Sequence, residues 1–172
     1  MRFEKVSKEQ YLKDAVEDYK LGPDEGSHSN PNPEDVYDHI KIPQRATQYS
    51  AGYDFYAPYD FTLYPGETIK LATGIRVKLD DDKFLMSAPR SSHGFKARIQ
   101  LDNTVGIIDA DYYNSSNEGH IHYKLTNDSH TGTKICVKQG EGIVQAMILQ
   151  YFRVDDDHTE TIRDGGFGST NN

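Results

Sequence analysis

The stretch "LDNTVGIIDADYY", residues 101–113, sets carboxylates directly beside apolar residues. Asp109 follows Ile107 and Ile108, so its carboxylate is predicted at the rim of an apolar pocket. A carboxylate placed there can act as a general base, a role typically worth about 10²- to 10⁴-fold in rate. The alternative is that Asp109 and Asp111 only cap the turn of a β-hairpin. This stretch alone leaves both interpretations open.

A second stretch, "SAPRSSHGF" at residues 87–95, combines a cation with hydroxyl groups. Pro89 is predicted to end a strand, and Arg90, Ser91 and Ser92 then follow in a turn. A planar guanidinium, two hydroxyls and free backbone amides suit the oxygens of a phosphate. Many surface turns have this composition, so the stretch indicates an anion site only together with other evidence.

Two more polar side chains stand in predicted strands. Asp54 in "AGYDFYA" follows a glycine at the head of a strand. Its carboxylate either holds the water shell of a metal ion or is an ordinary turn acid. Gln145 interrupts the apolar strand in "GEGIVQAM". Because a buried polar group needs a partner, either a neighbouring backbone or a ligand is expected to take its amide.

The chain ends with "RDGGFGSTNN", an arginine and a phenylalanine among glycines. These glycines are not a P-loop, because no lysine follows them and no helix begins there. Phe167 on a flexible terminal arm can lie flat over a bound base, a contact worth about 1 to 3 kcal/mol in nucleic-acid binders. The alternative is a terminus without ordered structure.

The elements that must position these side chains are predicted to be mostly strands. Ser7 and Gln10 form a capping box before a helix, which Gly22 and Pro23 end, and residues 22–35 are expected to be an exposed loop. From about residue 40 onward, short apolar runs alternate with turn residues. This spacing predicts one all-β domain, a barrel or sandwich, with the helix as an addition.

Composition excludes several classes of function. The net charge of -8 argues against a general nucleic-acid-binding surface. A single cysteine, Cys136, excludes a disulfide framework and is interpreted as a core residue between apolar neighbours. No run approaches the roughly 18 apolar residues of a membrane span, and the first residues lack the apolar stretch of a signal peptide, so we expect a cytoplasmic protein without a membrane partner.

Taken in order, these stretches resemble the motifs of the dUTP diphosphatases (dUTPases). The matching segments, which span residues 51–170, are "AGYDFYA", "PRSS", "NTVGIIDADY", "GEGIVQ" and "RDGGFGST". Each is short, but five in the right order make coincidence improbable. The resemblance implies a jelly-roll-like β-barrel, a homotrimer with shared active sites, and Mg²⁺-assisted hydrolysis of dUTP to dUMP and pyrophosphate. That reaction keeps uracil out of DNA and supplies dUMP for thymidylate synthesis.

The resemblance also implies roles for individual residues. Asp109 would activate the attacking water at the α-phosphorus, and Tyr112 would pack against the deoxyribose and leave no room for a 2′-hydroxyl. The groups expected to recognise the edge of uracil are Asn103 and the backbone of Val105, Gly106 and Ile108. Those expected to hold the triphosphate are Arg90, Ser91, Ser92, Gln145 and Arg163, with Ser91 near the leaving oxygen. Asp54 would bind Mg²⁺ through water, and Phe167 would close over the base with Gly166, Gly168, Ser169 and Thr170.

The sequence departs from the family pattern at several places. "YNSSNEGH" inserts residues after Tyr112, which predicts a longer hairpin loop at 113–119, and Ser92 stands where the family commonly has glycine. The helix and loop at 8–40 match no part of the family core, so a second role through them stays open. His120 and His122 have a spacing that a metal can use, but without an obvious third ligand they are interpreted as solvent-facing strand residues.

Two other functions compete with this hypothesis. A dCTP deaminase would share the fold and the "RSS" turn, but its key arginine and glutamate positions hold Phe95 and Tyr113 here. A binding module that kept the fold without catalysis would be expected to lose Asp109 or Arg90, and both are present. The sequence therefore favours the hydrolase.

Overall fold

Strands make up most of the regular structure. The computed structural model describes residues 1–20 and 31–161, without the side chains of residues 17–20. The strands in these ranges are β1 (Arg2–Lys5), β2 (Gln44–Arg45), β3 (Tyr53–Tyr56), β4 (Phe61–Leu63), β5 (Thr68–Ala72), β6 (Ile75–Lys78), β7 (Lys83–Pro89), β8 (Ile99–Leu101), β9 (Gly106–Asp109), β10 (His122–Asn127), β11 (Ile135–Val137) and β12 (Gly142–Gln150). The helices are α1 (Lys8–Lys20), α2 (Pro33–His39), α3 (Ser91–Ala97) and a 3₁₀ helix at Ala110–Asn114.

The strands pair in two main antiparallel sheets. One has the order β2-β3-β12-β7-β9, and the other has the order β5-β10-β8. Two smaller pairs, β1 with β6 and β4 with β11, complete the described strands. Buried side chains from both main sheets belong to one apolar cluster, which includes Phe55, Leu71, Leu85 and Leu125. The all-β prediction is therefore confirmed, with the sheets facing a common core.

Alternation along β11 corrects the prediction for Cys136. Ile135 and Val137 point into the core, whereas Cys136 between them is exposed and lies opposite Thr62 of β4. Successive side chains of a strand point to opposite faces, so a residue flanked by two core positions must point outward. Apolar sequence neighbours therefore do not make a strand residue buried.

The N-terminus of helix α1 is capped by Ser7 and by Glu118 of the inserted loop. Gln10 N donates to Ser7 Oγ at 3.1 Å, as the capping box predicts. The Gln10 side chain does not complete the box, because its Nε2 donates to Asp14 instead. Glu118 takes that place from the inserted loop and accepts bonds from Ser7 N at 2.8 Å and Ser7 Oγ at 2.6 Å. These bonds lower the pKa of Glu118, the Ser7 hydroxyl contributing most.

Helix α2 corrects the loop prediction for residues 33–35. Asn32 is the N-cap, and its side chain accepts from Glu34 N at 3.1 Å. Pro33 occupies the first turn, where its missing N–H is not needed. Val36 faces the core at 2% exposure. The signal was the sequence Asn-Pro-Glu-Asp, which favours a helix start as much as a loop. No helix among the described residues is long and apolar enough to cross a membrane.

Candidate active site

A cavity of about 300 Å³ lies where β8, β9 and β10 approach the 3₁₀ helix. Predicted site residues that line it are Asn103, Gly106, Ile108, Asp109 and Tyr112. A volume of this size suits a small-molecule ligand. Residues of the third motif-like stretch therefore line one concave site.

The segment between β8 and β9 is not the hairpin that the sequence suggests. β8 pairs with β10 in one sheet, and β9 pairs with β7 in the other. Thr104, with φ of 67°, turns the chain between the sheets, and its N–H bonds to Leu101 O at 2.8 Å. The cavity forms here because the chain leaves one sheet before it enters the next. Val105 is exposed in this turn and does not line the cavity.

Asp109 ends β9 and lines the cavity. In the register of β9 and β7, it lies opposite Phe84. It occupies the N-cap position of the 3₁₀ helix, but its side chain makes no capping hydrogen bond. The Asp109 carboxylate therefore does not cap this 3₁₀ helix. Its position is suited to a general base.

Tyr112 is a buried residue in the wall of the same cavity. The residue is 6% exposed. Its hydroxyl donates to His120 O at 2.8 Å and accepts from Asn117 Nδ2 at 2.8 Å. The phenol is therefore fixed by both hydrogen bonds, and Asn117 is a residue that the sequence prediction missed. The inserted loop is compact here, since the 3₁₀ helix and a turn fill residues 110–119 instead of a hairpin.

A second cluster unites the first, second and fourth motif-like stretches. Arg90 follows β7, and its Nε lies 3.2 Å from Asp54 Oδ1 on β3. Gln145 on β12 lies opposite Asp54 in the strand register. A side chain on Gly142 would meet Arg90 Nη1 at 2.6 Å, so glycine is needed for the guanidinium to lie there. The cluster presents a cation, a carboxylate and an amide on neighbouring strands.

Ser91 and Ser92 begin a helix instead of the predicted turn. They are the first residues of α3, and both are exposed. Ser92 Oγ lies 3.1 Å from His93 Nδ1, and His93 Nε2 lies 3.2 Å from Glu141 Oε1. His93 thus links Ser92 of α3 to Glu141, a contact that no pattern in the sequence indicates. The first amides of a helix have no intrahelical acceptor and suit an anion.

The two clusters lie at opposite ends of β7. Asp109 stands beside Phe84, and Arg90 follows six residues later, about 20 Å away at about 3.3 Å per residue. A general base must reach its proton directly or through one water. Asp109 and Arg90 of one chain therefore belong to two separate clusters.

His120 and His122 are buried, which corrects the solvent-facing interpretation. Their side chains are 0% and 5% exposed, and both approach Asp14 Oδ2, His120 Nδ1 at 2.5 Å and His122 Nε2 at 3.5 Å. Burial works to raise the pKa of Asp14, but hydrogen bonds from His120, His122 and Gln10 outweigh it and hold that pKa far below its ordinary value. The prediction from the sequence did not include Asp14, because the periodicity of a helix does not show which strand a helical side chain contacts.

The contacts among Asp14, His120 and His122 fit hydrogen bonds and do not fit metal coordination. Asp14, His120 and His122 form a group whose atoms a metal could bridge. However, Gly74 N donates to His120 Nε2 at 2.8 Å, so that nitrogen accepts and Nδ1 carries the proton toward Asp14. A metal at Nδ1 would need the opposite tautomer and would set two N–H groups against each other. The cluster is a buried link between α1 and the strands.

The predicted residues of the last stretch lie outside the described part of the chain. They are Arg163, Gly166, Phe167, Gly168, Ser169 and Thr170. Their expected roles stay predictions.

Comparison with known proteins identifies the family. The family model described as dUTPase matches residues 38–171. The chain belongs to the dUTPase family. A deoxyuridine 5′-triphosphate nucleotidohydrolase of Lactococcus lactis is 37% identical over 134 residues, which cover 76% of this chain and 88% of the relative. This dUTPase is thus a dUTP nucleotidohydrolase, an enzyme that hydrolyses dUTP to dUMP.

Solved dUTPase structures have the same fold. The dUTPase from Streptococcus mutans has a TM-score of 0.63 at 24% identity and covers 90% of this chain and 99% of its own. The phage phi11 dUTPase of S. aureus, solved as a mutant with a structural Mg(II) ion, has a TM-score of 0.57 at 18% identity and covers 72% of this chain and 92% of its own. These likenesses confirm the jelly-roll-like dUTPase fold. A match over 90% of the chain also includes part of residues 1–37, which lie before the matched family segment.

Proposed function

We propose that this dUTPase hydrolyses dUTP by attack of an Asp109-activated water at the α-phosphorus, with Mg²⁺ on the triphosphate. The observation that carries the proposal is the cavity of about 300 Å³ that gathers Asn103, Gly106, Ile108, Asp109 and Tyr112. The cavity places the Asp109 carboxylate near Asn103 and Tyr112, which suit a base and a sugar. The released product would be pyrophosphate, and the uracil of the substrate would be kept from DNA.

The cavity suits the uracil and the sugar. Asn103 and the backbone of Gly106 and Ile108, which line the cavity, offer donors and acceptors for a pyrimidine edge. A side chain on Gly106 would meet Ser87 Cβ at 3.3 Å, a contact tight enough to push the two strands slightly apart. The buried ring of Tyr112 would pack against the deoxyribose, where a 2′-hydroxyl would need space that the ring occupies.

The second cluster suits the triphosphate. Arg90 supplies a planar cation, Gln145 supplies an amide, and Ser91 and Ser92 supply hydroxyls. Fixed cations and amides lower the activation barrier of phosphoryl transfer by stabilising the negative charge that develops on the phosphoryl oxygens. Arg163 of the terminal segment would add a second cation, and Phe167 would cover the base together with Gly166, Gly168, Ser169 and Thr170.

The donor set fits Mg²⁺. Asp54 is a half-buried carboxylate beside the phosphate-binding residues, and Mg²⁺ commonly takes one or two carboxylates, waters and substrate phosphates. Asp54 would hold the ion through its water molecules. Bound there, the ion would draw negative charge from the phosphate oxygens and orient them for in-line attack.

A homotrimer would complete the site. Because Asp109 and Arg90 lie about 20 Å apart along β7 at about 3.3 Å per residue, one chain does not bring both to one substrate. In a cyclic trimer, the nucleoside cavity of one protomer would face the Asp54–Arg90–Gln145 cluster of the next. The third protomer would supply Arg163 and Phe167. A cytoplasmic location stays a prediction from the sequence.

Pyrophosphate release tests this function. We would measure it with dUTP, dCTP, dTTP and UTP in parallel, with Mg²⁺ and then with EDTA. The proposal predicts rapid release from dUTP that EDTA abolishes, and slow release from the other three nucleotides. Equal rates with UTP would contradict the role of Tyr112, and EDTA-resistant turnover would contradict the role of the metal.

A further inference from the structure

The inserted loop at 113–119 contacts the hydroxyl of Tyr112 through a hydrogen bond. Asn117 Nδ2 donates to Tyr112 Oη at 2.8 Å, and Asn117 Oδ1 accepts from Gly119 N at 3.2 Å. One amide side chain thus bonds the tyrosine with one end and its own loop with the other. The orientation of the Asn117 amide is fixed, because only this orientation satisfies both bonds.

The loop is itself fixed against the backbone beneath it. Gly119 has φ of 70°, and a side chain there would meet Tyr112 O and Tyr113 Cα at 2.7 Å. Glu118, with φ of 59°, reaches away from the cavity to the N-terminus of α1 and accepts two bonds from Ser7. The loop therefore bonds to Tyr112 through Asn117 and to the N-terminus of α1 through Glu118.

The second partner of the Tyr112 hydroxyl is held equally firmly. It is His120 O, and the His120 imidazole donates to Asp14 on α1 and accepts from Gly74 N. Both ring nitrogens are used, and the side chain is 0% exposed. The acceptor for the phenol proton is therefore fixed by α1 and by the backbone at residue 74.

We propose that Asn117 is a positioning residue for Tyr112, and that the inserted loop and α1 together set how strictly the site rejects ribonucleotides. The proposal rests on the proposed contact between Tyr112 and the deoxyribose. A ribonucleotide differs by one hydroxyl, which a rigid ring excludes and a ring free to move by about 1 Å admits. Asn117 acts through the tyrosine and not through a contact with the substrate.

The test is the ratio of kcat/KM for dUTP to kcat/KM for UTP. Asn117→Ala removes the donor to Tyr112 and is expected to lower that ratio on the order of tenfold, mainly through better use of UTP. Asn117→Asp keeps the acceptor for Gly119 N and leaves the phenol with two acceptors for one proton, so it should lower the ratio without the loop defect. Asn114→Ala is the matched control, because Asn114 is an exposed residue of the same loop.

A double-mutant cycle with Tyr112→Phe shows whether Asn117 acts through the phenol. Tyr112→Phe keeps the ring and loses the hydroxyl, so Asn117→Ala should add little to it. Additive effects would overturn the proposal, as would a lower melting temperature of both Asn117 variants with an unchanged dUTP-to-UTP ratio. Failure of the unaltered enzyme to prefer dUTP over UTP would instead overturn the proposed function. The two failures are therefore distinguishable.

Discussion

Arg90 Nε and Asp54 Oδ1 lie 3.2 Å apart, and the two side chains are 35% and 13% exposed. One is proposed to hold phosphate and the other the water shell of Mg²⁺. Each charge therefore balances the other before the ligands arrive, and a Mg²⁺–triphosphate complex presents the opposite charge to each of them. The pair keeps both groups oriented at the end of β7 without leaving a half-buried charge alone.

Asp54→Asn tests the metal role. The substitution keeps the shape of the side chain and removes its charge, so the Mg²⁺ concentration for half-maximal rate should rise by about 10- to 100-fold. Titration of Mg²⁺ at saturating dUTP measures this. Asp128→Asn, which breaks an ion pair with Arg98 elsewhere, is the control and should leave the titration unchanged. A titration of Asp54→Asn that superimposes on the control would remove Asp54 from the metal site.

Asp109→Asn tests the general base. Turnover should fall by a factor of about 10² or more while nucleotide binding stays nearly the same, because the amide keeps the shape and cannot take the proton. Calorimetry with a non-hydrolysable dUTP analogue and single-turnover kinetics separate the two. Asp111→Asn, an exposed neighbour, serves as the matched substitution. Weakened binding with normal residual turnover would argue for a binding role instead.

Glu118 gives α1 a pH-dependent cap. Its pKa is lowered by Ser7, so its stabilising effect is complete above about pH 4.5, the ordinary value, and is lost as pH falls through the lower folded value. Glu118→Gln should lower the melting temperature by about 2 to 4 °C at pH 7, and the difference from the unaltered chain should shrink below about pH 4.5 as the carboxylate is protonated. Glu160→Gln, exposed, is the control. A difference that stays constant as pH falls from 7 to the acid unfolding of the unaltered chain would show that the carboxylate charge is not responsible.

Phe167 tests the arm predicted from the sequence. Phe167→Ala should raise KM for dUTP by about tenfold, since base stacking is worth about 1 to 3 kcal/mol. The melting temperature should not change, because the residue is not expected to belong to the core. Phe152→Ala removes an aromatic ring that is 86% exposed and should have no effect on KM. A large fall in melting temperature would make the terminal segment structural.

The sequence predicted the parts of the site that depend on local order along the chain. Asp109 and Tyr112 line one cavity because Tyr112 follows Asp109 by three positions, within one turn of the 3₁₀ helix. The order of the motifs made the family recognisable. The sequence did not predict contacts between segments far apart in the chain. Asp14 and His120 are 106 residues apart, and Glu118 caps a helix that begins at residue 8.

The errors have the same origin. Residues 101–113 have the pattern of a hairpin, but the two strands join different sheets, and pairing is decided by the packing of both sheets. Cys136 has apolar neighbours and yet points outward, because burial follows alternation and not local hydrophobicity. The histidines at 120 and 122 gain their burial from α1, which no pattern near them indicates.

Asp109 and Arg90 of different protomers are proposed to serve one substrate. Asp109→Asn and Arg90→Gln, each nearly inactive alone, should regain activity when unfolded and refolded together. Random mixing in a trimer gives about a quarter of the sites an intact Asp109 from one protomer and an intact Arg90 from another. Recovery of about a quarter of the unaltered dUTP turnover is the predicted result. Mixed assemblies, verified by native mass spectrometry, that stay as inactive as the separate variants would contradict it.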